Sequence, residues 1–229
     1  MAKILMTAIV ADIRNKLNGS VFSKNRYGSY IRTKVTPVNP QTTAQQNVRN
    51  RLATNSQAWR GLTESQRNGW ITAASSFPTT DIFGNPKILS GNALYVSLNN
   101  NLAVIGAALI TDAPSPVSIP ALSIVSLTAD ISSSTFDIDF LQSPIPAGVA
   151  MVVEATPQVG PGISFVKNLY RNVNSFAAAT NSPIDLFADY VAKFGALTLG
   201  QKVFVRCFYV STVTGQAGIA VSAGTVIVA

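Results

Sequence analysis

The pattern of apolar residues changes period at TDAPSPVSIPA, residues 111–121, and that change constrains the fold more than any other feature of the chain. Pro114, Pro116 and Pro120 disfavour both helix and central strand there. Before them, apolar residues recur at helical spacing; after them, they alternate. The expected fold class is therefore α+β. An N-terminal strand and basic arm is expected at 1–40, a helical anchoring domain at 41–110, a proline-rich linker at 111–120 and an antiparallel sandwich at 121–229.

Charge divides at the same place. Residues 1–112 hold twelve Lys and Arg against four acids, a balance of +8, whereas residues 113–229 hold five against six. The front is basic and the back neutral. Only 12% of the residues are charged, about half the usual share, which suits a surface packed against other proteins.

In the front half, TTAQQNVRNRLATNSQAW places Ala44, Val48, Leu52 and Trp59 near one helix face, and Gly61 ends the helix. LTESQRNGW restarts helix with Thr63 as N-cap and Gln66 three residues on, a capping-box pattern, with Trp70 turning back onto the first helix. After a turn at IFGNPK, Ser90 caps a third helix striped by Leu94, Leu98, Leu102 and Ile105.

In the back half, TFDIDFL alternates strictly: Phe136, Ile138 and Phe140 face one way, Asp137 and Asp139 the other. GVAMVVEAT, QKVFVRCFYVST and IAVSAGTVIVA repeat the strand signal around Gly and Pro turns. That spacing predicts a sandwich of immunoglobulin or fibronectin type III kind. SPIDLFADYVAKFG interrupts it, with Ser182 as N-cap, Pro183 at the first helical position and Gly195 past the end, and predicts one helix inserted between strands.

Little in the chain points to catalysis. Histidine is absent, which removes the Ser-His-Asp and Cys-His arrangements and the common zinc sites. Cys207 is the single cysteine and sits in an alternating strand, as a small buried hydrophobe would. Asp137 and Asp139 are a solvated strand face, with calcium ligation as the alternative. No phosphate-binding loop is present. The expectation is a protein that is not an enzyme, with no catalytic, cofactor-binding or metal-ligating residues. No stretch is apolar enough for a spanning helix, so no membrane partner is expected. Lys3 followed by Ile4 to Ala11 has a signal-peptide look, but Asp12 and Arg14 follow at once, and the segment is expected to be mature sequence opening a strand.

The arm is where partner binding is expected. From Arg14 to Lys34 there are six basic residues and no Glu, with Phe22, Tyr27 and Tyr30 between them. Lys24, Arg26, Tyr27, Tyr30, Arg32 and Lys34 form the candidate set. Such residues can neutralise phosphates and stack on bases, or add a strand to the edge of a neighbouring subunit. Fully extended, residues 14–41 would reach up to roughly 90 Å.

The stretch GSVFSKNRYGSYIRTKVTPVNPQTTAQQNVRNRLATNSQAWRGLTESQRNGW, followed by DIFGNPKILSGNALYVSLNNNL, resembles a widespread group of bacteriophage-encoded virion structural proteins. Their front halves share a glycine-rich basic segment, a V-x-P-x-N-P-x-T-x-x-Q hinge, a helix ending in A-W, an L-T-x-x-Q-R-x-x-W helix and a G-x-x-L-Y helix. Val35, Pro37, Asn39, Pro40, Thr42, Gln45, Trp59, Thr63, Gln66, Arg67 and Trp70 fit, and the match covers about residues 19–102. The resemblance implies a virion component, an auxiliary capsid or neck-associated protein. Its partners would be capsid, portal, neck or tail subunits in a homo-oligomer or symmetric array. Nucleic-acid binding in the virion interior and host-surface adhesion are the alternatives.

Overall fold

A computed structural model describes residues 2–3, 13–25, 28–80 and 85–229. The expected opening strand at 4–11 lies outside them, as does the first half of the expected turn at IFGNPK. The chain separates into two compact units, residues 1–46 and 47–229.

The first unit is a four-stranded antiparallel sheet ordered β1-β4-β3-β2, from β1 (Ala2–Lys3), β2 (Asn15–Leu17), β3 (Ser20–Asn25) and β4 (Gly28–Thr33). This corrects the extended arm. Val21, Phe22, Tyr30 and Ile31 have the β-branched and aromatic character of strands. Gly28 adopts φ +113°, a left-handed conformation that costs a glycine little, where β3 gives way to β4. The ladder runs from Ser20 opposite Thr33 to Asn25 opposite Gly28, and Lys34 N–H donates to the Gly19 carbonyl at 2.8 Å. Both ends of this segment therefore lie side by side, and the long reach is lost. Residues 34–42 follow without regular structure, with Val35 and Val38 exposed.

Helix α1 (Thr43–Gly61) leads into the second unit, where α2 (Glu64–Ala73) and α3 (Gly91–Val104) follow. Between α2 and α3, β5 (Thr79–Thr80) pairs antiparallel with β6 (Pro86–Lys87). The expected caps are present. Thr63 Oγ1 accepts the Gln66 N–H while Gln66 Oε1 accepts the Thr63 N–H at 3.0 Å, and Ser90 Oγ accepts the Ala93 N–H. Trp70, fully buried, meets the Tyr95 ring edge-on at 5.2 Å, and Trp59 tilts onto the same ring at 5.4 Å. Leu62, Phe77, Leu94 and Leu98 complete this small core. Val48 and Leu52 stay out of it, at 55% and 54% exposure, although they share the face of Trp59. The apolar α1 residues packed against this core are Ala58 and Trp59, from its last turn, and Leu62 joins them just past the end of the helix.

Seven strands build the rest: β7 (Ile124–Asp130), β8 (Thr135–Phe140), β9 (Val149–Ala155), β10 (Arg171–Phe176), β11 (Ile184–Asp185), β12 (Lys202–Ser211) and β13 (Val221–Val226). They form antiparallel sheets ordered β10-β9-β12-β13 and β11-β8-β7 around one shared core. Phe136, Ile138 and Phe140 point into that core, and so do Met151, Val153, Val205 and Cys207. Beyond β13, Val228 N–H donates to the Ala129 carbonyl and the Val228 carbonyl accepts from Ile131, tying the chain end to β7.

The inserted helix, α4 (Phe187–Phe194), starts later than the sequence suggests. Ser182 and Pro183, joined by a cis peptide bond, are not its first turn. The Ser182 hydroxyl instead accepts the Phe140 N–H, and Ile184 pairs with Ile138 as β11. Burial of Ile184 and Leu186 draws these residues into the sheet, and Asp185 Oδ1 accepts the Phe187 N–H as the helix begins. Gly195, at φ +90°, ends it as expected. Tyr190 is fully buried, edge-on to Phe136, with its hydroxyl donating to the Thr156 carbonyl at 3.0 Å.

The proline-rich segment has no regular structure, yet it is tied down on both sides. Val117 N–H donates to Gln216 Oε1 at 3.0 Å, while Trp70 Nε1 donates to the Thr111 carbonyl at 2.8 Å. Asn101 Nδ2 donates to the Gly215 carbonyl at 2.9 Å, which joins α3 to the turn after β12.

Candidate functional site

Directly opposed residues of antiparallel strands share a sheet face, so the register of the N-terminal sheet sorts its basic residues. Lys16, Val21 and Arg32 lie in one row, with Ser23 and Tyr30 on the same face. Asn15, Phe22 and Ile31 form a row on the other, with Lys24 and Ser29 beside it. The structure thus unites Tyr30 and Arg32 and adds Lys16, which sequence reasoning did not select. It places Lys24 on the opposite face. Lys34 follows the end of β4, and Arg26 and Tyr27 lie outside the described residues. Lys16, Lys24, Arg32 and Lys34 are exposed, and Tyr30 is half-buried. Strand pairing is the signal that would have found Lys16, because a two-strand offset sets it about 10 Å from Arg32 across Val21.

Among the described residues 13–46, none is buried. The sheet nonetheless carries Val21, Phe22, Tyr30 and Ile31 on its two faces, with Leu17 well exposed on its β2 edge.

Elsewhere the chemistry is muted. Cys207 is fully buried, and burial, with a smaller contribution from the Glu154 carboxylate, pushes its thiol up to about 12. Asp137 and Asp139 lie on the outer face of β8, and Asp185 pairs opposite Asp137. Partial burial first, then repulsion from Asp185 and Asp139, raises the Asp137 carboxyl above its ordinary value. Asp139 accepts from the Ser126 hydroxyl, and Asp185 Oδ1 from the Phe136 N–H at 3.1 Å. No group of three or more potential metal ligands occurs among the described residues. No helix among the described residues is long and apolar enough to cross a membrane.

One open groove, about 590 Å³, runs between α2 and the proline-rich segment, lined by Ser65, Gln66, Gly69, Thr72, Asp112 and Pro114 among others. Its single ionisable group, Asp112, already accepts from Gln66 Nε2 at 3.1 Å and from Thr111. No nucleophile and base meet there.

The two aromatic residues of the loop between β9 and β10 have separate fates. Phe165 stands 77% exposed, whereas Tyr170 lies beneath the Arg206 guanidinium, 4.7 Å from ring centroid to Cζ. Arg206 is held in place by Glu154, with Nε 2.7 Å from Oε2. Tyr170 therefore belongs to the outer face of the sheet and not to an exposed aromatic cluster. Comparison of the chain with protein-family models, with curated proteins and with solved structures finds no match.

Proposed function

We propose that this chain is a non-enzymatic structural protein of a bacteriophage virion, an auxiliary capsid or neck-associated component. In this reading the C-terminal sheets form an immunoglobulin-like module, and the basic N-terminal sheet together with the helices binds neighbouring subunits. The observation that carries it is the sheet of residues 2–33, whose described side chains include apolar groups on both faces and none buried. A small sheet gains its stability from an apolar face packed against something else. Covering Val21, Phe22, Tyr30 and Ile31 with a neighbouring subunit would supply that packing, and each repeated copy in a symmetric assembly would multiply a modest contact. The resemblance of residues 19–102 to phage structural proteins supports the same assignment.

Deletion of residues 14–40 tests it. The truncated chain is expected to fold and to be left out of particles; its normal incorporation would remove the proposal. A second reading has one specific support, the shared face of Lys16, Tyr30 and Arg32, which offers two cations and a stacking surface to nucleic acid. The mass of the protein at low and high salt, with and without duplex DNA, separates the two. Oligomers indifferent to DNA support the assembly surface, while a DNA complex that dissolves at high salt supports the second reading.

A further inference from the structure

Helix α1 carries a heptad pattern that its own fold uses only in part. Val48, Leu52, Asn55 and Trp59 follow one another at spacings of four, three and four, the rhythm of a coiled-coil seam, and Leu62 continues it just past the end of the helix. Asn55 and Leu62 are buried and Trp59 packs on Tyr95, so the C-terminal part of the seam is covered within the second unit. Val48 and Leu52 continue the same line in the open, each more than half exposed.

The flanking positions change character at the same point. Beside the covered part stand Ser56 and Ala58, small and neutral. Beside the exposed part stand Arg49 and Arg51, on either side of the Val48–Leu52 seam. In a helix pair these flanking positions sit closest to the partner's own flanks, where opposite charges select a partner and like charges reject one. The helix contains no acidic residue at all. A second copy of α1 would gather four guanidinium groups around one heptad. An acidic helix would meet complementary charge.

From this we infer that the Val48–Leu52 face of α1 is a docking surface for an amphipathic helix of a partner protein, with apolar side chains along its seam and Asp or Glu beside them. Val48 and Leu52 supply the buried centre, and Arg49 and Arg51 select the partner's charge. The inference rests on the role proposed above for the helices in binding neighbouring subunits, names the chemistry of the partner, and uses no residue of the N-terminal sheet.

The test employs the full-length chain and two labelled three-heptad peptides, both with Leu at the seam, one flanked by Glu and the other by Lys. Fluorescence anisotropy should show the Glu peptide binding at least about tenfold more tightly than the Lys peptide, a gap of about 1.4 kcal/mol. The double variant Val48→Ser, Leu52→Ser should lose at least about tenfold of that binding with an unchanged far-ultraviolet circular dichroism spectrum, because both side chains are exposed. Arg49→Glu with Arg51→Glu should reverse the preference towards the Lys peptide. Equal binding of both peptides, or binding of neither, overturns the inference. So does capture of short duplex DNA that the serine substitutions leave intact, which would make the arginines a nucleic-acid contact. Binding of neither peptide by the unaltered chain, while deletion of residues 14–40 still bars incorporation into particles, would strike this inference alone; selective binding of the Glu peptide, while the deleted chain incorporates normally, would strike the assembly role alone.

Discussion

Single residues here are governed more by burial than by reactivity. Cys207 sits on the inward face of β12 between the neighbours Arg206 and Phe208, and its thiol is raised from an ordinary 9.0 to about 12 mainly by the loss of solvation. Between those values the unfolded chain releases a proton that the native chain retains. The Cys207 contribution to stability is therefore full below pH 9.0 and declines as pH rises towards about 12. Nucleophilic attack needs the thiolate and a path to it. Iodoacetamide at mildly alkaline pH should leave the native protein unmodified and alkylate one thiol after denaturation in guanidinium, read by mass spectrometry; rapid labelling of the native chain would contradict the burial. The alternation of QKVFVRCFYVST made this environment legible without coordinates, since it puts Cys207 in phase with Val203 and Val205. The ring of Tyr170 beneath Arg206 was not legible, because it joins residues thirty-six positions apart whose meeting depends on how the loop before β10 folds over the sheet.

Elements were legible where local chemistry decides them. Thr63 and Gln66 are three residues apart on one segment, so the capping box needs nothing from the rest of the chain. The start of α4 is the opposite case. Ser182-Pro183 has the local form of a helix N-terminus, but pairing with β8 and burial of Leu186 outweigh it, and both are long-range. The N-terminal arm misled for a related reason: a basic, aromatic-studded sequence has the composition of an extended ligand arm, and only pairing partners distinguish that from a hairpin. Contacts between elements can be probed at Gly215, in the turn after β12. Its φ is +71°, and a Cβ there would lie 2.3 Å from the Leu98 carbonyl oxygen of α3 and 3.0 Å from Leu102 Cγ. Gly215→Ala should therefore cost about 2 kcal/mol or more, from a strained backbone and from overpacking against backbone that cannot yield. Urea denaturation measures the loss. A change below about 0.5 kcal/mol would mean that α3 and this turn do not hold each other.

At the scale of the whole molecule, the change of period at the prolines marks where helix gives way to sheet, but residues 47–229 are one compact unit across it. The hydrogen bonds from Asn101 to Gly215, from Val117 to Gln216 and from Trp70 to Thr111 cross or anchor the proline-rich segment, and Gly215 and Gly218 lie close against Leu98 and Ile119. Two parts that share such contacts lose them together, so opening one raises the free energy of the other. Residues 47–229 should therefore unfold in one cooperative transition. Tryptophan fluorescence reports only the helical part, since Trp59 and Trp70 are the only tryptophans, while far-ultraviolet circular dichroism includes the sheets. Coincident urea curves from the two signals are the expected result, with Gly215→Ala shifting both midpoints equally. If the fluorescence curve moved away from the dichroism curve, the helical and sheet parts would be separate folding units, and the prolines would mark a true boundary between them.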